Sequence, residues 1–244
     1  MTGSKTGTAP PPNSTATPRA RASAIVCIGS STGGPGALCS LLKAIRTPLK
    51  CPIVIVQHMD QPFFEDLAQW LSHSSGHRVQ IACEGVMPQA GEIFLAGRAD
   101  HLTLLPSGQL HYLPALPSDI HRPSIDIFFS SVAAAWPRSG SAILLTGMGR
   151  DGAAGLLKLR QQGFSTLAQS ESSCIVYGMP KAGYDCGAVQ ELLSPSEIGL
   201  WLHRRYSPDS IAHTQAAPRS KAQFDRVALQ RLVALRPARI SKER

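Results

Sequence analysis

The chain has no run of about 18 apolar residues, so no segment is expected to cross a bilayer as a helix. Residues 1–23, MTGSKTGTAPPPNSTATPRARAS, lack the apolar core of a secretion signal, which points to a cytoplasmic protein. No CxxC pair occurs. Cys27, Cys39, Cys51, Cys83, Cys174 and Cys186 are scattered, several of them inside apolar runs, as reduced core thiols are, so neither a zinc site nor a disulfide framework is indicated. The middle of the chain also lacks a surplus of charge. Lys5, Arg19 and Arg21 stand without an acid before residue 24, and eight Lys or Arg face Asp209, Asp225 and Glu243 after residue 205. The two ends therefore account for the whole net charge of +8, residues 24–205 are balanced, and a nucleic-acid partner is not expected.

What is present is enough for a sizeable core, with 244 residues of which 43% are hydrophobic. Residues 1–23, rich in Pro, Ser, Thr and Gly, bury too little to offset their ordering entropy and read as a disordered leader. From Ala24 short apolar strands alternate with amphipathic helices: AIVCIG, then PGALCSLLKAI, then CPIVIVQ, then FFEDLAQWLSH. RVQIAC, GEIFLA, HLTLLP and QLHYLP are strand candidates, the last two joined by a turn at SG. HRPSIDIFFSSVAAAW reads as a helix opened near Ser124, SAILLTG as a strand, DGAAGLLKLRQQG as a helix closed by Gly163, and FSTLAQ as a strand. MPKAGYDCG as helix, VQELLS as strand and PSEIGLWLHRR as helix complete the series. This alternation predicts one α/β domain over residues 24–205, a doubly wound, mostly parallel sheet with helices on both faces. In the basic tail, residues 206–244, Phe224, Val227, Ala228, Leu232 and Leu235 share one face of a possible short helix. It reads as a loose appendage in preference to a docking helix for an acidic partner.

The loop GSSTGGPG, residues 29–36, sits at a strand-to-helix turn. It has no lysine, so it is not a Walker phosphate loop, and Ser31 stands where a dinucleotide loop needs its second glycine. The same letters satisfy GxSxG, with Gly29 and Gly33, and then Gly34, as turn glycines and Ser31 at the apex as a candidate nucleophile. The pattern is weak alone and needs partners. His58 ends the next strand and Asp151 lies in the glycine-rich loop after SAILLTG. At carboxyl strand ends these could form a Ser-His-Asp triad, His58 taking the serine proton and Asp151 orienting the imidazole. His121 and Asp126 are a competing base and acid, but Asp126 is explained by its place in the first turn of a helix, and both rank as supporting or rim residues. His73 and His77 stand four apart, but Gly76 and the nearby serines suggest that the helix has ended, and no metal is assigned.

IGSSTGGPGAL, VIVQHM, GEIFLAG with DHLTL, HRPSID, AILLTGMGRDGAAGLL and TLAQSESSCIVYGMPKAG, in that order, closely resemble the catalytic domain of CheB-type chemotaxis methylesterases, over residues 24–202. The resemblance implies a protein-glutamate methylesterase, with glutaminase activity as a companion reaction. Its triad falls on Ser31, His58 and Asp151, with Thr32 and Met148 shaping the site and facing the oxyanion through their backbone amides. It implies no cofactor, and a methyl-accepting chemotaxis receptor as protein substrate. Only residues 1–23 precede the domain, too few for the receiver domain that many such enzymes carry, so regulation by phosphorylation in cis is not expected. Constitutive action, a separate regulatory protein or a shortened chain are the options. Asp60 stands where the family has proline after HisMet. The competing readings are a non-catalytic receptor-array binding module of the same fold and a hydrolase of small esters.

Overall fold

The computed structural model describes residues 22–208, so nearly all of the expected leader and the tail positions Phe224, Val227, Ala228, Leu232 and Leu235 lie outside the described residues. Strand β1 (Ile25–Ser30) is buried along its whole length, as a strand covered on both faces must be. It leads into α1 (Gly34–Lys43), followed by β2 (Ile53–Gln57), α2 (Phe64–Ser75), β3 (Val79–Ile81) and β4 (Ile93–Leu95). A hairpin, β5 (His101–Leu104) and β6 (Leu110–Leu113), then stands apart from the main sheet and turns through Ser107 and Gly108. The second half runs α3 (Ile125–Ala135), β7 (Gly140–Leu144), α4 (Ala153–Gln161), β8 (Ser165–Gln169), α5 (Met179–Asp185), β9 (Glu191–Leu193) and α6 (Pro195–Tyr206).

Seven strands pair in parallel in the order β3-β4-β2-β1-β7-β8-β9. The chain places β2, β3 and β4 on one side of β1, with β4 between β2 and the edge strand β3, and then resumes on the other side, so the order reverses at β1. Successive β1 side chains feed two separate cores. Ile25 and Cys27 pack with Phe128, Phe129 and Leu156 of α3 and α4, whereas Val26 and Ile28 pack with Leu38, Leu41 and Leu71 of α1 and α2 and with Ile198 of α6. This is the doubly wound arrangement that the alternating pattern predicts, and in such sheets the carboxyl edge at the reversal point is where ligands bind.

Most helix ends follow their local chemistry. Ser124 caps α3 by accepting a hydrogen bond from the Ile127 amide, and Ser194 with Glu197 forms a reciprocal capping box on α6. Gly76, at φ 77°, ends α2 between His73 and His77, and the His77 ring is bonded instead to the Ile45 carbonyl at 2.6 Å. Helix α4 begins two residues later than DGAAGLL suggests, which leaves Asp151 in the loop ahead of it. All six cysteines are free, and burial raises the Cys51 thiol to about 12 and Cys27 further still, so neither of these two is a nucleophile.

Candidate active site

The register of three neighbouring strands brings the expected residues together. Ser30 pairs with Gln57 across β1 and β2, and the His58 amide donates to the Ser30 carbonyl at 3.0 Å, so Ser31 and His58 leave the sheet side by side. On the other side of β1 the ladder extends past β7, where the Ser31 amide donates to the Thr146 carbonyl at 3.0 Å. The loop from Thr146 then carries Met148 and Asp151 back over the same edge.

The turn that carries Ser31 is fixed by packing and backbone conformation. Gly33 holds φ 80°, the left-handed region, and its missing side chain leaves room for Ile175. Gly29 differs from the expectation that it serves the turn. It lies within β1, paired with Val56 and Leu144, and its bare backbone is what lets the Ile125 side chain seat against the strand. Gly34 opens α1, where a side chain would strike Gln57. Thr32 is exposed, and its carbonyl accepts from Thr146 Oγ1 at 3.0 Å. Among the described residues neither the Thr32 nor the Met148 N–H has a hydrogen-bond partner, and the Met148 side chain is largely exposed.

Asp151 is the most heavily bonded group of the site. Its Oδ2 lies 2.8 Å from His58 Nε2 and accepts from the Ile125 amide, and its Oδ1 accepts from the Asp126 amide and from Ser124 Oγ. The carboxylate thus sits on the N-terminus of α3, where unpaired amides and the helix dipole favour an anion. Burial pushes its pKa up, but the hydrogen bonds from His58 and from the Asp126 and Ile125 amides outweigh that and hold it at about 2. Asp151 is therefore ionised at neutral pH. The His58 side chain is 13% exposed against 5% for Asp151, so the imidazole is the member of the pair that faces outward. Its ring stacks on that of His121. Among the described residues Ser31 Oγ makes no hydrogen bond to His58.

The resolved pairing thus joins His58 to Asp151 and not to the competing carboxylate. Asp126 Oδ1 accepts from the Gly155 amide and pins α3 to α4, and burial raises its pKa. Three supporting residues escape a sequence reading. Gln57, buried at the end of β2, accepts from Ser30 Oγ at 2.6 Å and donates to the carbonyls of both Ser31 and His58 at 2.9 Å. Thr146 donates its amide to Gln169 Oε1, and its hydroxyl donates to the carbonyls of Thr32 and Val176, tying the two segments together. His101 on β5 bonds both Asp119 and Ser124. A polar residue closing a wholly apolar strand, such as Gln57 after IVIV, is the one signal that could have singled any of them out. Among the described residues no cluster of three His, Cys, Asp or Glu side chains could hold a metal.

Known proteins resemble the chain over most of its length. The chain is 48% identical over 190 residues to a protein-glutamate methylesterase/protein-glutamine glutaminase of Pseudomonas fluorescens, covering 78% of this chain and 56% of the relative. It is 45% identical over 192 residues to one of Cupriavidus metallidurans, covering 79% and 57%. The chain thus spans little more than half the length of the curated relatives it matches. The crystal structure of the Thermotoga maritima CheB methylesterase catalytic domain superimposes with a TM-score of 0.68 at 31% identity, covering 74% of this chain and 97% of that one. The family model described as CheB methylesterase matches residues 26–202, so the chain belongs to the CheB methylesterase family.

Proposed function

We propose that this protein hydrolyses glutamyl methyl esters on the cytoplasmic helical part of methyl-accepting chemotaxis receptors, and deamidates glutamine there by the same route, with Ser31, His58 and Asp151 as its triad. The observation that carries this reading is the 2.8 Å contact between His58 Nε2 and a carboxylate buried on a helix N-terminus, one residue beyond the strand pair that also delivers Ser31. An ionised Asp151 accepts the Nε2–H, which leaves the lone pair on Nδ1 as the basic nitrogen for the Ser31 hydroxyl.

Ser31 Oγ attacks the ester carbonyl while His58 Nδ1 takes its proton, and the imidazolium is stabilised by Asp151. Collapse of the tetrahedral adduct returns that proton to departing methanol, or to ammonia from a glutamine. Water activated by His58 then cleaves the acyl-enzyme and leaves a free glutamate. The unpartnered Thr32 and Met148 amides are suited to the oxyanion, and a donor of this kind is worth about 3 to 4 kcal/mol of transition-state stabilisation. No cofactor enters this chemistry. Among the described residues no helix is long and apolar enough to cross a membrane, and the chain meets its receptor from the cytoplasm in this reading.

The test is methanol release from a methylated receptor fragment by wild type and by Ser31→Ala. Release by wild type alone is expected. Equal release would remove Ser31 as the nucleophile, none from either with the fold intact would leave the receptor-binding module as the better account, and turnover of simple esters without any effect on receptor would favour a general esterase.

A further inference from the structure

The triad accounts for one edge of the His58 ring and leaves its face unexplained. That face is covered by His121, with ring centroids 4.6 Å apart and planes within 6° of parallel. Asp151 fixes the Nε2 corner, but a ring held at one corner can still rock about the line from Cβ to Nε2. Such rocking swings Nδ1, the nitrogen that must meet Ser31, out of position. A flat surface against the ring face opposes this particular motion.

The stack is imposed by a separate anchor. His121 lies between Asp119 and Ser124, and one imidazole ties both of those residues down. His101, 2% exposed on β5, contacts Asp119 Oδ2 through Nε2 at 2.9 Å and accepts the Ser124 amide on Nδ1 at 3.1 Å. These partners require the neutral tautomer with hydrogen on Nε2. The segment carrying His121 is therefore clamped at both ends by a residue outside it. Its far end is Ser124, which also donates to Asp151, so the stack and the carboxylate that orient His58 are set by one local structure.

We propose that His121 is a positioning residue for His58, holding the plane of the ring so that Nδ1 faces Ser31 and presenting a π-face to the positive charge that His58 gains when it takes the serine proton. The proposal rests on the assignment of Ser31 as nucleophile and His58 as base. It assigns His121 no contact with substrate.

The test uses the full chain and phenylmethylsulfonyl fluoride, a probe that needs no receptor. Ser31 Oγ bonds to sulfur, fluoride leaves and the hydroxyl proton passes to His58, and the mass gain is followed with time. His121→Ala should slow labelling about 10-fold, and His121→Phe, which keeps a flat ring, should stay within about 3-fold of wild type. His121→Gln keeps bulk without a ring and should behave as the Ala variant, which separates stacking from loop loosening. On methylated receptor fragment the loss should appear in kcat with KM unchanged. Wild-type labelling by His121→Ala, a Phe variant as slow as Ala, or a loss confined to KM would each overturn the proposal. Equal mass gain by wild type and Ser31→Ala would instead remove the nucleophile assignment beneath it.

Discussion

The Ile125 side chain occupies the space that a side chain on Gly29 would need. Ile125 also donates its amide to Asp151, so the absence of a Cβ in β1 fixes how closely the N-terminus of α3 approaches the sheet edge that carries Ser31 and His58. Gly29→Ala should push Ile125 outward and carry the Asp151 cradle with it. Expected are a loss of about 1 to 3 kcal/mol in stability, as for overpacking, and a fall of about 10-fold or more in kcat. Denaturant unfolding and steady-state kinetics on methylated receptor check both, and a variant with wild-type kcat would show that the approach of α3 is not critical.

Gln57 joins the Ser31 turn to His58 through three hydrogen bonds. Gln57→Leu leaves Ser30 Oγ and two carbonyls without their partner. The expected destabilisation is about 2 kcal/mol, with kcat reduced more than KM is raised, because the bonds set the spacing of Ser31 and His58 rather than a substrate contact. Urea titration and the kcat and KM of the variant measure the two effects separately.

The sequence pattern carries the fold because each buried parallel strand is a short apolar run with a helix of period 3.6 after it, and these signals are local. IVCIGS, IVIVQ and GSAIL emerge as adjacent strands, with Ser31 and His58 directly after the first two and Asp151 in the loop after the third. The pairing of His58 with Asp151 rather than Asp126 is not local. It depends on the Asp151 loop reaching the amides of α3, and both acids stand near that helix end. Gly29 is legible as a glycine but not as the seat of Ile125, since that contact spans nearly a hundred residues. His101 is illegible for the same reason, and Gln57 shows only as a polar residue closing an apolar strand, its link to the Ser31 turn being made across strands.

The low pKa of Asp151 makes part of the stability depend on pH. Its folded value, about 2, lies below the ordinary 3.8, so the folded state favours the ionised form. The resulting stabilisation, about 2 kcal/mol, is fully present above pH 4 or so and is lost as pH falls through 3.8 towards 2. Urea unfolding between about pH 6 and pH 2 should show wild type losing stability relative to Asp151→Asn across that window. A constant difference between the two proteins would mean that the carboxylate is not held by the α3 amides and His58 in solution.

His101 supports the site without touching it. Its ring is buried, and its two nitrogens meet Asp119 and the amide of Ser124. His101→Leu approximates the volume but leaves the Ser124 amide without its acceptor and Asp119 with only the Leu116 amide as donor. A buried donor left unpaired costs about 1 to 3 kcal/mol, so the unfolding midpoint should fall by that order. Since Ser124 both caps α3 and donates to Asp151, kcat should fall as well, and labelling of Ser31 by phenylmethylsulfonyl fluoride should slow in parallel. His101→Gln can restore at most one of the two contacts. If that variant recovers stability but not the labelling rate, the clamp works by holding both ends of the segment at once.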